Sequence, residues 1–254
     1  MGKRGALTKD NLGFSMPVDC PLYGRLPILY TGVSMLIYEY VTDANAAAAL
    51  LPAQLELVDV PGAPSAAIAM LLFAEYQWST IGPYNEVAQA LVCTYKGALV
   101  TYAVRLHVTT DRALTMGREC GGFAKKLGDI PFLHDMSYAS YLERPTGIRI
   151  CSGVMEPAEP VPTGSPESLK QIDFVSLRLM PNIADPATPS LRQLMQTKWL
   201  FQNGQTWKAN GSFSYTGASS LDPYHKLPCL APYKNLLYMG EMQVSAQAKI
   251  LEDF

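Results

Sequence analysis

Apolar positions in this chain come in short runs, and the runs are closed mostly by glycine and proline. From Val33 to Val41 the residues are β-branched, aromatic or apolar, which predicts a strand. Thr42 or Asp43 then offers a helix cap, Ala44 to Leu51 is alanine-rich, and Pro52 stops the helix. Ala66 to Tyr76 reads as a continuous apolar strand. Gly82-Pro83 breaks the chain, Leu91–Cys93 restarts it, and Leu99 to Thr109 alternates loosely as another strand. Gly117 to Gly128 is irregular and glycine-rich, and two or three short strands are expected between Met136 and Val154. Glu156 to Ser168, with Pro157, Pro160, Pro162 and Pro166, predicts a loop. Phe174–Met180 predicts a strand ended by Pro181, and Leu191–Thr197 a short helix. Phe213–Tyr215 and Leu236–Ala246 predict strands, with Ile250 to Phe254 as a tail. Residues 1–30, rich in proline and glycine, predict an extended arm lying on a surface.

Many short strands between Gly/Pro turns, with few helices, point to a β-rich α+β fold built as a barrel or sandwich. Neither a linker nor an internal repeat divides the chain, so a single domain spanning 1–254 is expected. A chain of 254 residues buries roughly 70–75% of its unfolded surface and needs no disulfide or metal to fold. The net charge of −2 comes from dispersed charges with no basic stripe, which argues against nucleic acid as a partner. No apolar stretch approaches the ~18 residues of a membrane span, and the short basic start is followed by no apolar region. A cytoplasmic location is the resulting expectation. The five cysteines are widely spaced without a C-x-x-C pair, and His107, His134 and His225 share no close spacing, so neither zinc nor a disulfide framework is expected. Gly121-Gly122 is too short for a phosphate cradle. No cofactor is therefore expected.

One window carries chemistry: Met116-Gly-Arg-Glu-Cys-Gly-Gly-Phe-Ala-Lys-Lys-Leu-Gly128, which holds the only adjacent lysine pair in the chain. If this segment is extended, Phe123, Lys125 and Leu127 share one face, and Ala124, Lys126 and Gly128 the other. Lys125 would then lie between apolar neighbours, whereas a solvated lysine pair would face water on both sides. An apolar site disfavours an ammonium, which is how a lysine becomes a nucleophile near neutral pH. A second ammonium on the opposite face, ~11 Å away, would add only about 1.5 kcal/mol at an effective dielectric of ~20, so desolvation is the larger expected effect.

Gly117-Arg118-Glu119 followed by Phe123-Ala124-Lys125-Lys126-Leu127-Gly128 resembles the lysine motif of the acetoacetate decarboxylase family. Gly82-Pro83-Tyr84-Asn85-Glu86 resembles that family's glutamate loop. Val41-Thr42-Asp43 with the following helix, and Leu177-Arg178-Leu179-Met180-Pro181-Asn182, resemble two further segments. The resemblance implies a closed, cone-like β-barrel with few helices, homo-oligomers, a Schiff base on Lys125 and a general acid/base at Glu86. It maps Lys126 onto the second lysine, a group that tunes the amine. Tyr84, Arg118, Glu119 and Phe123 become candidates for substrate binding or for shaping the amine's surroundings. Arg118 and Glu119 also have a plainer reading, as an ion pair that holds the lysine segment.

This chain departs from the family at Ala124, where proline is usual, and in two charges. Tyr30 to Ser34 lacks the family's arginine, with Arg25 the nearest and lying in the arm. Ala66 to Phe73 lacks a second glutamate, with Glu75 falling later. An altered carboxylate environment leaves the lysine competent and redirects the fate of its imine. The sequence thus favours aldol condensation and dehydration of pyruvate with an aldehyde, ahead of 3-oxo acid decarboxylation. A binding protein that holds an apolar ligand without chemistry is the third class. The aromatic set Tyr76, Trp78, Trp199 and Trp207 is expected in the core and pocket lining.

Overall fold

The computed structural model describes residues 2–245 and 248–254. Its elements are β1 (Ile28–Asp43), α1 (Ala44–Ala48), β2 (Glu56–Leu57), β3 (Ala66–Ser79), β4 (Tyr84–Tyr95), β5 (Ala98–Val108) and α2 (Asp111–Gly121). They continue with β6 (Lys125–Leu127), β7 (Phe132–His134), β8 (Tyr138–Glu143), β9 (Arg149–Pro160), β10 (Gln171–Met180), β11 (Leu191–Tyr215), a single 3₁₀ turn (Tyr224–Lys226), β12 (Ala231–Val244) and β13 (Lys249–Asp253). Asp43 caps α1, accepting a bond from the Ala46 amide. Among the described residues, no helix is long and apolar enough to cross a membrane.

The sheet closes on itself. Neighbouring strands run β10-β5-β4-β3-β1-β12-β11, and β10 also pairs with β11, so these strands form a ring. Side chains alternate across each strand, and one set from every strand of the ring fills its interior. Met35 and Ile37 of β1, Leu72 of β3, Ala88 of β4, Leu106 of β5, Phe174 of β10, Phe201 of β11 and Leu236 of β12 belong to this one core. The opposite faces of β1, β3 and β4 form a second core, with Leu36, Phe73, Val87 and Leu91 under α1 and the β8–β9 hairpin. A third packs Val100, Val175 and Leu194 outside the ring. The expected β-rich class with few helices is present, in one large sheet whose β10–β11 pairing joins its strands into a ring.

Four expectations need correction. Gly117–Gly128 is not irregular: its first part closes α2 and its second contains β6. Leu191–Thr197 is the start of β11, not a helix. Leu194 and Met195 are both buried because the strand has core on each face there, and their spacing from Leu191 imitates a helical stripe. Glu156–Pro160 continues β9 rather than starting a loop. β8 pairs with β9 only as far as Met155, so beyond that point Pro157 and Pro160 stand where no ladder bond is needed on that side. The expected tail, Ile250 to Phe254, falls largely in β13 (Lys249–Asp253), which pairs with β11. The strand expected over Leu236–Ala246 is β12, and Ala246 lies outside the described residues. Tyr76 and Trp199 are core as expected, whereas Trp78 is 51% exposed at the end of β3, opposite the exposed Thr31.

Candidate active site

Two neighbours of β5 bring the candidate residues together. Glu86 on β4 stands opposite Val108, and Lys125 on β6 stands opposite Leu106. Val108 and Leu106 are two residues apart on one strand, so Glu86 and Lys125 project from the same face into the ring. The link from β5 to β6 is α2. Its N-terminus is capped by the Thr110 hydroxyl, and it ends at Gly122 in the left-handed region, φ +70°. Any Cβ at position 122 would also stand 2.5 Å from that of Arg178. Ala113 and Met116 pack α2 against the interior core, beside the amine.

Gly117 makes room for that amine. A Cβ at this position would lie 2.6 Å from Lys125 Cδ and 2.7 Å from Cε. Gly117→Ala is expected to retain the fold but displace the amine from Glu86, lowering turnover on the order of 10–100-fold. Steady-state rates set beside a thermal melt test this. Wild-type rates, or a loss of rate matched by loss of fold, would contradict it.

Lys125 is 6% exposed and Glu86 fully buried, with Nζ donating to Oε2 at 2.7 Å. The other carboxylate oxygen, Oε1, is buried with no hydrogen-bond partner. The Nζ lies 5.7 Å from the ring centres of both Tyr84 and Phe123. The Tyr84 hydroxyl meets that of Tyr30 at 3.0 Å, and the Tyr76 ring packs 4.6 Å from each of these two tyrosines. Burial pushes all three phenols well up, so they stand as neutral hydroxyls over the working pH range. A cavity opens beside the amine, reaching from Tyr30, Tyr84 and Phe123 toward Leu26, Ile28 and Val244. Among its described lining residues, Lys125 is the only charged one.

The other predicted residues lie elsewhere. Lys126 leaves β6 on the opposite face and pairs with Asp222 at 2.9 Å, so its charge is matched locally instead of being turned on Lys125. Arg118 donates to the Lys125 carbonyl at 3.2 Å. Glu119 accepts from Ser15 and from Tyr23, tying the N-terminal arm to α2. Neither Arg118 nor Glu119 lines the cavity. Arg25 stacks on Phe14 within the arm, and Glu75 faces outward to His134 at 2.9 Å, so neither replaces the charges the sequence lacks. Thr197 lines the cavity and was not singled out by sequence, since nothing marks it once its segment is read as a helix. Among the described residues, no cluster of three His, Cys, Asp or Glu side chains is placed to hold a metal ion.

Behind β6, Asp222 joins three groups: His107 Nε2 at 3.0 Å, Lys126 Nζ at 2.9 Å and Arg144 Nε at 3.2 Å. Asp222 accepts at Nε2, so the neutral imidazole carries its proton there and takes the Tyr224 hydroxyl at Nδ1, 3.0 Å away. Burial lowers the His107 pKa to about 4 despite the attraction of Asp222. Burial pushes the Asp222 carboxyl up, but Lys126 and His107 more than reverse this and leave it below its usual value. Both groups bind protons more readily in the unfolded chain. His107 therefore contributes stability that is intact above pH ~6.5 and lost as pH falls toward 4, with Asp222 adding to the loss at lower pH. Urea unfolding is expected to give about 2 kcal/mol less stability at pH 5 than at pH 6.5 from His107 alone. His107→Gln should remove that part of the slope. An unchanged slope in the variant would contradict the assignment.

The family model for acetoacetate decarboxylase matches residues 15–251, and the chain belongs to that family. A decarboxylase of Cochliobolus heterostrophus, DEC1, is 26% identical over 239 residues, covering 89% of each chain. Acetoacetate decarboxylase from Legionella pneumophila has the same fold, with a TM-score of 0.83, 22% identity and coverage of 100% of this chain and 99% of that one. The enduracididine biosynthesis enzyme MppR, solved with pyruvate, matches with a TM-score of 0.77, 16% identity and coverage of 96% and 98%. The family and its decarboxylase relatives identify a lyase.

Proposed function

We propose that the protein decarboxylates a 3-oxo acid through an imine on Lys125. The observation that carries this reading is a buried Lys125–Glu86 pair facing a cavity with no other described charge. Passing the Nζ proton to Glu86 leaves a neutral pair, which an apolar site tolerates better than separated charges. The free amine adds to the C3 carbonyl, and Glu86 returns its proton as water leaves. The resulting iminium carries the positive charge. The C1–C2 bond then breaks, its electron pair moves into the iminium to give an enamine, and carbon dioxide departs. C2 is then protonated by a proton drawn from water and relayed through the Glu86 carboxylate, and hydrolysis of the iminium releases the ketone and the amine.

The lining bears on which acid reacts. A carboxylate retained through the whole cycle, as in pyruvate condensation, needs a lasting charged partner. A carboxylate that leaves as carbon dioxide benefits from a site that solvates it poorly. Condensation–dehydration, which the sequence put first, therefore becomes the second reading. The likeness of fold to MppR, solved with pyruvate, is what supports it.

The test is to supply acetoacetate and 3-oxooctanoate, and in parallel pyruvate with an aldehyde, following products by NMR and carbon dioxide release. Equal amounts of ketone and carbon dioxide are expected from a 3-oxo acid. Consumption of pyruvate and aldehyde without carbon dioxide would replace this reading by the condensation.

A further inference from the structure

The far wall of the cavity holds two polar groups that the proposed chemistry does not use. Thr197 and Trp199 lie two residues apart on β11, so they share a face, and both line the cavity. Each is 3% exposed. The Thr197 hydroxyl oxygen and the Trp199 indole nitrogen are both buried without a hydrogen-bond partner. Buried polar groups in folded proteins are nearly always paired, so two adjacent exceptions on one pocket wall suggest a ligand that completes them. Phe123 connects this wall to the amine: its ring centre is 5.7 Å from Lys125 Nζ and 6.3 Å from the Trp199 ring. The rest of that wall is apolar, with Trp199 packed 4.6 Å from Phe174.

Resting on the decarboxylase reading, we propose that Thr197 and Trp199 form a neutral two-donor subsite for an oxygen on the acyl chain of a 3-oxo acid longer than acetoacetate. An indole N–H only donates, and a hydroxyl can donate, so the matching group is an acceptor such as a second carbonyl. A carboxylate suits the site less well, because two neutral donors in an apolar wall do not offset the desolvation of a full charge. The substrate is thus an oxygen-bearing, otherwise apolar chain, with its 3-oxo group on Lys125 and a second oxygen on β11.

The experiment compares kcat/KM for 3-oxooctanoate with those for its 3,5-, 3,6- and 3,7-dioxo counterparts. It uses the wild-type chain, Thr197→Val and Trp199→Phe. At least one dioxo acid is expected to be preferred about tenfold, the discrimination that one well-made hydrogen bond supplies. That preference should fall to about threefold or less in each variant. No preference among the acids, or a preference that survives in both variants, overturns the subsite and leaves the decarboxylase reading standing. No turnover of any 3-oxo acid by the wild-type chain overturns both.

Discussion

Lys125→Ala is expected to abolish both turnover and the formation of any borohydride-stable adduct with an oxo acid. The amine is the one nucleophile that the described cavity lining places beside a buried base, at 2.7 Å from Glu86. No neighbouring amine replaces it, since Lys126 is bound to Asp222 on the opposite face. The variant also leaves a fully buried carboxylate without its cation, and breaking such a pair costs about 3–5 kcal/mol. Loss of activity through unfolding is separated by the double variant Lys125→Met/Glu86→Gln. It removes both charges and should recover most of the wild-type stability measured by urea unfolding while remaining inactive. Activity in the double variant would place the chemistry elsewhere.

Glu86→Gln is expected to be the second largest loss, on the order of 10²–10⁴-fold in kcat. The side chain keeps its shape but can neither receive the Nζ proton nor return it as water leaves. Because the amine remains, adduct should still accumulate on Lys125, only more slowly, and KM should change far less than kcat. Single-turnover trapping beside steady-state rates measures this. An unchanged kcat would assign the proton transfers to other groups, with the Tyr30–Tyr84 hydroxyl pair next in line.

The lysine window was legible because its chemistry is local. The Lys125–Lys126 alternation across β6 places one lysine in the ring and the other outside it, as the spacing implied. Strands β1, β3, β5 and β10 were legible for a similar reason, since each is a run of apolar or β-branched residues between breakers. Helix α2 was hidden by its glycines. Gly117 and Gly121 read as loop signals although one serves the Lys125 side chain and the other the Phe123 ring. The Thr110-Asp111 cap was the available clue. Arg118 and Glu119 became candidates through the resemblance of their motif, but one bonds the Lys125 carbonyl and the other the N-terminal arm. These partners lie on neighbouring elements and leave no trace in spacing. Trp199 was expected in the core and pocket lining, but Thr197 beside it was out of reach, because their shared wall exists only once β11 closes the ring against β10.

The most direct measurement is borohydride reduction of the protein incubated with 3-oxooctanoate or its ketone product, followed by peptide mapping of the added mass. The buried Lys125–Glu86 site predicts one adduct, on Lys125, lost in Lys125→Ala and retained in Glu86→Gln. An adduct on any other lysine, or none with any 3-oxo acid, ketone or pyruvate between pH 5 and 8, would contradict it.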